Sequence, residues 1–233
     1  INPKLMAQSS PKSDFYTTAY LYALQFYKKI HDITPIGFEQ RGSFHIAVDD
    51  KRLEKFHKMV DANSWPSSAL EIIEHDKASQ YLPNSLAKEG LWMPLSAVIS
   101  PCIAVNALVE LGQTMGGKLC LNSAVQDLKE DDGSYHLFVN QEQHKFDKVV
   151  ICNALQAKEY QFLKDITLKP VRGQVTVVNP DKKFSDFKTN LCFGGYMSRL
   201  SGKEYILGAT YDRGDDQSDH RPSDDQSNLD YYP

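Results

Sequence analysis

The sequence predicts an α+β fold in which a mainly antiparallel sheet with helices is interrupted by an α/β segment. Three observations carry this. Strand signals recur towards both ends of the chain, at residues 41–48 and again at 168–178, 195–200 and 205–211. A strong helix start at Pro101 is followed by three further strand signals in succession. Finally, Val149-Val150-Ile151-Cys152 is apolar at every position, the pattern of a strand buried on both faces of a parallel sheet. The order is therefore antiparallel, α/β, antiparallel, and it sets residues 100–157 apart from 1–99 and 158–233.

Each element has its own justification. Phe15, Tyr16, Ala19, Tyr20, Ala23, Leu24, Tyr27 and Ile30 recur at helical spacing, so residues 14–30 read as an amphipathic helix capped by Ser13 or Asp14. At 41–48, Phe44, Ile46 and Val48 alternate with Ser43, His45 and Ala47, the mark of a strand covered on one face. Leu53, Phe56, His57 and Val60 mark a short helix, on which His57 reads as a core or boundary histidine ahead of a ligand. A strand at 70–74, a helical turn at 76–81 stopped by Pro83, and two strands at 90–95 and 97–100 around a tight bend come next. Pro101 suits the first position of a helix with an apolar stripe of Ala104, Val105, Leu108, Leu111 and Met115, ended by Gly116-Gly117. Strands at 118–129, broken near Ser123, at 134–139 and at 145–154 follow, with Asp131-Asp132-Gly133 as a hairpin turn. Residues 168–178 are rich in β-branched side chains and read as one buried strand begun by Pro170 and Gly173. Ser201-Gly202-Lys203 is turn chemistry between the last two strands, and a polar tail covers 212–230. The chain starts at Ile1 and stops just past a helix-start signal, which reads as an excised fragment.

Composition limits the classes open to it. A length of 233 residues supports one large domain or two smaller ones. No stretch approaches the 18 or so apolar residues of a membrane span, and no signal-peptide core is present. Cys102, Cys120, Cys152 and Cys192 are far apart and mostly lie in apolar runs, as reduced core thiols of a cytosolic protein without a metal site would. A net charge of -4 argues against a general nucleic-acid binder held by a dominant basic surface.

Few motifs carry chemistry. No Gly-x-Gly-x-x-Gly follows a strand, so the dinucleotide fingerprint is absent. Residues 112–117 lack the Lys-Ser/Thr of a phosphate loop and follow a helix, which makes them a helix stop. Nothing matches the common hydrolase or kinase signatures. There remain Arg172 and Tyr196, polar on otherwise apolar strands, with Arg199 and Arg213 near strand ends. Each fits a strand edge or the surface. Arg172 also fits an anion contact, because Gly173 beside it lets a backbone or ligand approach and a guanidinium can bind in bidentate fashion.

Pro170-Val171-Arg172-Gly173-Gln174-Val175, then Gly195-Tyr196, then Gly208-Ala209-Thr210-Tyr211-Asp212-Arg213-Gly214, with Asp224-Asp225-Gln226-Ser227-Asn228 after them, resembles the D-amino-acid-oxidase-like family of FAD-dependent amine oxidoreductases. Within that family the likeness is to the branch acting on the wobble uridine of tRNA, and it extends in order over nearly the whole chain. It implies a D-amino-acid-oxidase-like fold. Residues 100–157 would then be part of a Rossmann-like FAD-binding domain, a helix plus a β-meander, and 1–99 and 158–233 two parts of a substrate domain. It further implies that Val125 meets the adenine side of FAD, that Asn153 and Ala154 lie near the pyrophosphate, and that Arg172, Gly173 and Gln174 lie near the isoalloxazine. Tyr196, with Arg172 and Arg199, would hold the substrate carboxylate, and no general base is named. The implied substrate is the carboxymethylaminomethyl group of a tRNA wobble uridine. S-adenosylmethionine would belong only to a separate fused methyltransferase domain. An oxidase of a small amine such as glycine or sarcosine, or a non-catalytic binding module, are the alternatives. Two departures touch the pocket rim: Pro94-Leu95-Ser96-Ala97-Val98-Ile99 where the family reads Pro-Gln-Gly-Gly-Trp-Leu, and Arg199 where the tRNA enzymes show proline. The family's glycine-rich βαβ unit and its closing C-terminal segment lie outside these residues, so the fragment alone is expected to bind FAD weakly or not at all.

Overall fold

A computed structural model describes residues 1–63, 65–83, 86–179, 189–201 and 204–231. Gly202 and Lys203 of the expected Ser201-Gly202-Lys203 turn lie outside the described residues. Five helices are described: α1 (Pro11–Ile33), α2 (Asp50–Asn63), α3 (His75–Ala78), α4 (Pro101–Thr114) and α5 (Pro222–Asp230). The strands are β1 (Ser43–Ile46), β2 (Glu71–Ile73), β3 (Gly90–Met93), β4 (Val125–Asp131), β5 (Ser134–Val139), β6 (Glu142–Phe146), β7 (Val171–Arg172), β8 (Val175–Val178), β9 (Asn190–Cys192), β10 (Tyr196–Ser201), β11 (Glu204–Gly208) and β12 (Asp212–Arg213). They fall into two compact units, residues 1–111, 173–210 and 220–233 in the first and 112–172 and 211–219 in the second.

The first unit holds a seven-stranded sheet in the order β2-β3-β1-β9-β10-β11-β8. Its neighbours are antiparallel except β1 and β9, which run parallel with Phe44 opposite Leu191. Strand alternation sends Phe44, Ile46, Leu191, Met197, Tyr205 and Leu207 into one core with Ala78, Leu82 and Leu86. Leu91 and Met93 face the other way, against Phe56 of α2 and Leu70. Helix α1 packs Tyr20 and Leu24 on Ala97, and Tyr20 stacks on Trp65. Gly90 has no room for a side chain: a Cβ there would lie 2.3 Å from the His45 carbonyl oxygen and 2.5 Å from Phe44 Cε1. Gly90→Ala should therefore cost about 1–3 kcal/mol, at the upper end because the nearest obstacle is backbone; the denaturant midpoint measures it.

The second unit contains the β4-β5-β6 meander and the antiparallel pair β7–β12. Strand β5 has the expected bounds, and the turn before it uses Asp132 and Gly133 at φ +48° and +72°, as a tight hairpin requires.

Several expectations are corrected. The helix cap is Ser10, with Pro11 at the first position: Ser10 Oγ accepts from Ser13 N while Ser13 Oγ accepts from Ser10 N, so Ser13 is the reciprocal partner and not the cap. The run 149–152 forms no strand. Val150 is 84% exposed and Cys152 is exposed, with Val149 and Ile151 half-buried, because no described strand pairs with the run. Residues 118–124 are not a strand either. On α4 only Ala104 and Ala107 are buried, next to Ile36, while Val105 and Met115 of the expected stripe are exposed. Cys102 and Cys120 are exposed as well and Cys192 is half-buried, so composition misread these thiols as core. His57 is exposed. Residues 168–178 are two strands in different sheets, split at Gly173-Gln174, and Val175 and Val177 are exposed on β8 at the sheet edge. The polar tail folds into β12 and α5.

Candidate functional site

Tyr196 is placed by cross-strand register. One row runs across the large sheet from Leu91 through His45, Cys192, Tyr196 and Gly208 to Val175. A Cβ on Gly208 would lie 2.8 Å from Val175 Cγ1 and 3.1 Å from Tyr196 Oη, and one on Gly195 would lie 2.7 Å from the Gly208 carbonyl oxygen. Gly208 thus leaves room for the Tyr196 ring, while Gly195 lets the backbone of the neighbouring strand come close. Tyr196 is 38% exposed. Burial first, then nearby Cys192, push its hydroxyl pKa up, so it is a neutral O–H donor at ordinary pH.

The rest of this row is neutral too. Burial, with Arg52 adding to it, lowers the His45 imidazole to about 4. Burial raises the Cys192 thiol to about 11. In the adjoining row Ser198 Oγ donates to Asn190 Oδ1 at 2.7 Å, and Asn190 Nδ2 donates to the Gly42 carbonyl at 2.8 Å. Arg199 alternates onto the face opposite Tyr196 and is exposed, so the structure does not bring these two together.

Gln174 is held by α5 and by the residues before it. Its Nε2 donates to the Arg221 carbonyl at 2.9 Å and to Asp225 Oδ1 at 3.0 Å, and its Oε1 accepts from Arg221 N at 2.8 Å. Thr176 Oγ1 donates to the same Asp225 Oδ1 at 2.7 Å, while Asp225 Oδ2 pairs with His220 Nε2 at 2.7 Å. The Thr176 and Gln174 hydrogen bonds hold the Asp225 carboxyl below its usual range. Asn228 Nδ2 donates to the Gln174 carbonyl and to Thr176 Oγ1. Gly173 passes close by: a Cβ there would meet the Thr210 carbonyl oxygen at 3.0 Å. Sequence reasoning quoted residues 224–228 only as a motif. Their grip on Gln174, some fifty positions earlier, has no local signature.

In the second unit a cavity of about 530 Å³ is lined by Ala154, Leu155, Pro170, Val171 and Arg172, with Lys169 and the acidic stretch at Asp215 and Asp216 also on its wall. Arg172 is buried; its Nη2 donates to the Asp219 carbonyl and its Nη1 lies 3.9 Å from Asp212. Ala154, at φ +50°, opens the 3₁₀ turn Ala154–Glu159, and Asn153 is the exposed residue before it. Val125 opens β4 and does not line the cavity. The volume lies within the range of cofactor pockets. The apolar part of the lining fits a flat ring such as that of a flavin, while Lys169 and Arg172 share the wall with Asp215 and Asp216, and Arg172 already pairs with Asp212 and the Asp219 carbonyl. Among the described residues there is no cluster that could hold a metal ion, and no helix is long and apolar enough to cross a membrane.

Comparison with known proteins identifies the family. The family described as FAD dependent oxidoreductase (DAO) matches residues 4–231. The tRNA 5-methylaminomethyl-2-thiouridine biosynthesis bifunctional protein MnmC of Shewanella pealeana is 25% identical over 232 residues, which is 98% of this chain and 36% of that protein. The protein of the same name from Pseudoalteromonas translucida is 23% identical over 232 residues, 98% of this chain and 34% of its own. The chain therefore spans about a third of the length of these curated relatives. Among solved structures, glycine oxidase from Geobacillus kaustophilus superimposes with a TM-score of 0.81 at 16% identity, over 97% of this chain and 62% of that one. L-proline dehydrogenase from P. horikoshii gives 0.82 at 13% identity, over 100% and 65%. These structures share the fold, a mixed sheet with helices of the α+β class. With a family match over nearly its full length on that fold, the chain belongs to the FAD-dependent oxidoreductase (DAO) family.

Proposed function

We propose that this chain is part of the oxidase portion of a larger cytoplasmic protein that removes the carboxymethyl group from 5-carboxymethylaminomethyl-(2-thio)uridine at the tRNA wobble position. Oxidation at the carbon beside the nitrogen gives an imine, and its hydrolysis by water releases aminomethyluridine and glyoxylate. The observation that carries this reading is the match of 98% of the chain to proteins named for tRNA 5-methylaminomethyl-2-thiouridine biosynthesis. FAD, when bound, supplies the acceptor for the two electrons lost from the carbon beside the substrate nitrogen.

The chain's own residues bind and orient. Residues 100–157 are assigned to the FAD-binding part and the flanking segments to the substrate part. Val125 is assigned to the adenine side, Asn153 and Ala154 to the pyrophosphate, and Arg172, Gly173 and Gln174 to the ring. The neutral Tyr196 hydroxyl donates to the substrate carboxylate and so fixes which carbon–hydrogen bond faces the acceptor. Arg172 is assigned charge at the same carboxylate; Arg199, on the face opposite Tyr196, is not. No general base is assigned. Segments of the polypeptide on either side of these residues complete the flavin site, and S-adenosylmethionine serves only a fused methyltransferase part.

The test is to express the full-length protein, record its flavin absorbance and incubate it with tRNA bearing the carboxymethylaminomethyl group. Nucleoside mass spectrometry should show aminomethyluridine. In that protein Tyr196→Phe should lower kcat/KM by about 10–100-fold, the effect of losing one hydrogen bond to a charged group. If glycine reduces the flavin and the tRNA does not, the proposal is wrong, and the small-amine oxidase reading suggested by the glycine oxidase fold replaces it. A full-length protein that stays colourless with added FAD would leave only a binding module.

A further inference from the structure

We propose that Asp225 is a positioning residue whose carboxylate holds Gln174, and through it the turn at Gly173, in the geometry that receives the flavin ring. This rests on the assignment of Arg172, Gly173 and Gln174 to that ring. Its basis is how completely Gln174 is occupied by protein. A carboxamide has two N–H donors and one accepting oxygen. Here both the oxygen and the nitrogen of the Gln174 side chain are bonded to Arg221 and Asp225. The backbone is equally committed: Gln174 N donates to Thr210 Oγ1 at 3.0 Å, and its carbonyl accepts from Thr210 N at 3.2 Å and from Asn228 Nδ2 at 3.0 Å. The side chain of Gln174 thus points at α5, and its contribution to a ligand is to fix the backbone of exposed Gly173 beside it.

Asp225 is the hub of this arrangement. One carboxylate oxygen accepts from both Gln174 and Thr176, on the two sides of Val175, so it ties the start of β8 and the residue before it to a single point on α5. The other oxygen faces His220. An acceptor-only group suits two donors converging on one oxygen, and charge-assisted bonds of this kind are stronger than neutral ones. Glycine at position 173 supplies no side chain to brace the turn, so bracing must come from its neighbour.

The experiment uses the full-length protein stripped of FAD and retitrated, with affinity read from flavin fluorescence quenching and the flavin absorption spectrum of each reconstituted variant. Asp225→Ala and Gln174→Ala should each weaken FAD binding by about 10-fold, and the double variant should be no weaker than either single one, because both remove the same constraint. Asp225→Asn, which retains an accepting oxygen, should restore binding to within about 3-fold of the parent. Gln226→Ala, which breaks only an exposed pair with Asp230 on the same helix, should leave affinity unchanged. If Gln174→Ala binds FAD normally with an unaltered spectrum, the assignment of this turn to the ring fails, and the role of Asp225 fails with it. If Gln174→Ala weakens binding and Asp225→Ala does not, or if the two effects multiply, the Asp225 inference alone is overturned. Should Asp225→Ala not fold, Thr176→Val decides: it removes one donor from the same oxygen and should weaken binding in the same direction, and an unchanged affinity would refute the inference.

Discussion

Lowering the pH from about 6.5 to about 4 is expected to remove about 3 kcal/mol of stability through His45 alone. His45 lies on β1 between Leu91 and Cys192, with the Phe56 ring edge-on to it and the Arg52 guanidinium near enough to repel a second positive charge. The polar groups around it, Ser43, Asn2 and Cys192, bring no carboxylate to pair with an imidazolium. Between the two pKa values the unfolded chain binds a proton at this position and the folded chain does not, so stability rises with pH across the window. It is fully present above about 6.5 and lost below about 4. Each pKa unit is worth about 1.4 kcal/mol, which sets the size of the effect. Asp225, whose folded pKa is also lowered, adds a loss in the same direction in the more acidic range below its ordinary value of 3.8. Denaturant midpoints measured from pH 4 to pH 7 should show the slope, and His45→Gln should flatten it. A variant profile as steep as the parent's would show that other groups are responsible.

Phe44→Ala is expected to destabilise the chain by about 3–5 kcal/mol, the range for emptying a phenylalanine site in a core that cannot collapse. Phe44 is fully buried. Leu191 faces it across the parallel pair, Tyr81 packs a ring 5.8 Å from its own, and Gly90 brings backbone against its edge. Leu191 and Gly90 belong to β9 and β3, so neither can move into the gap without breaking a ladder, and only Tyr81, in the turn after α3, is free of one. The urea midpoint should fall while the slope of the transition stays constant. A loss below about 1.5 kcal/mol would mean that the site relaxes as if it lay at a surface.

What could be read from the residues was whatever they state locally. Alternation in β1 put Phe44 and Ile46 in the core, and the Pro101 helix start, the Asp131 to Gly133 turn and the β10–β11 pairing followed from spacing and turn chemistry. The failures share one cause. Val149 to Cys152 has the composition of a buried strand, yet burial needs a neighbour, and none of the described strands lies against it. Composition likewise took residues 168–178 for one strand because it could not show that Gly173 and Gln174 turn the chain towards Thr210 and α5. Within the candidate site, Tyr196 was legible as a polar residue on an apolar strand. Gln174 and Thr176, which hold Asp225, come from a segment about fifty positions earlier, and the register of the sheet is what sets His45 beside Cys192.

The parallel pairing of β1 with β9 also dictates an order of assembly. Asn190 donates to the Gly42 carbonyl across 148 positions of chain, and β1 is a central strand with β3 on its other side. Strand β3 is antiparallel and less than fifty residues away, so that half of the sheet can pair early. The remaining half must wait until everything from α4 to β9 is available, and closing so long a loop is entropically slow. During that interval one edge of β1 stands open beside Phe44. The chain should therefore refold in at least two kinetic phases, with the β2–β3–β1 half protected from hydrogen exchange before β9 and β10, and its half-formed sheet is the species most exposed to aggregation.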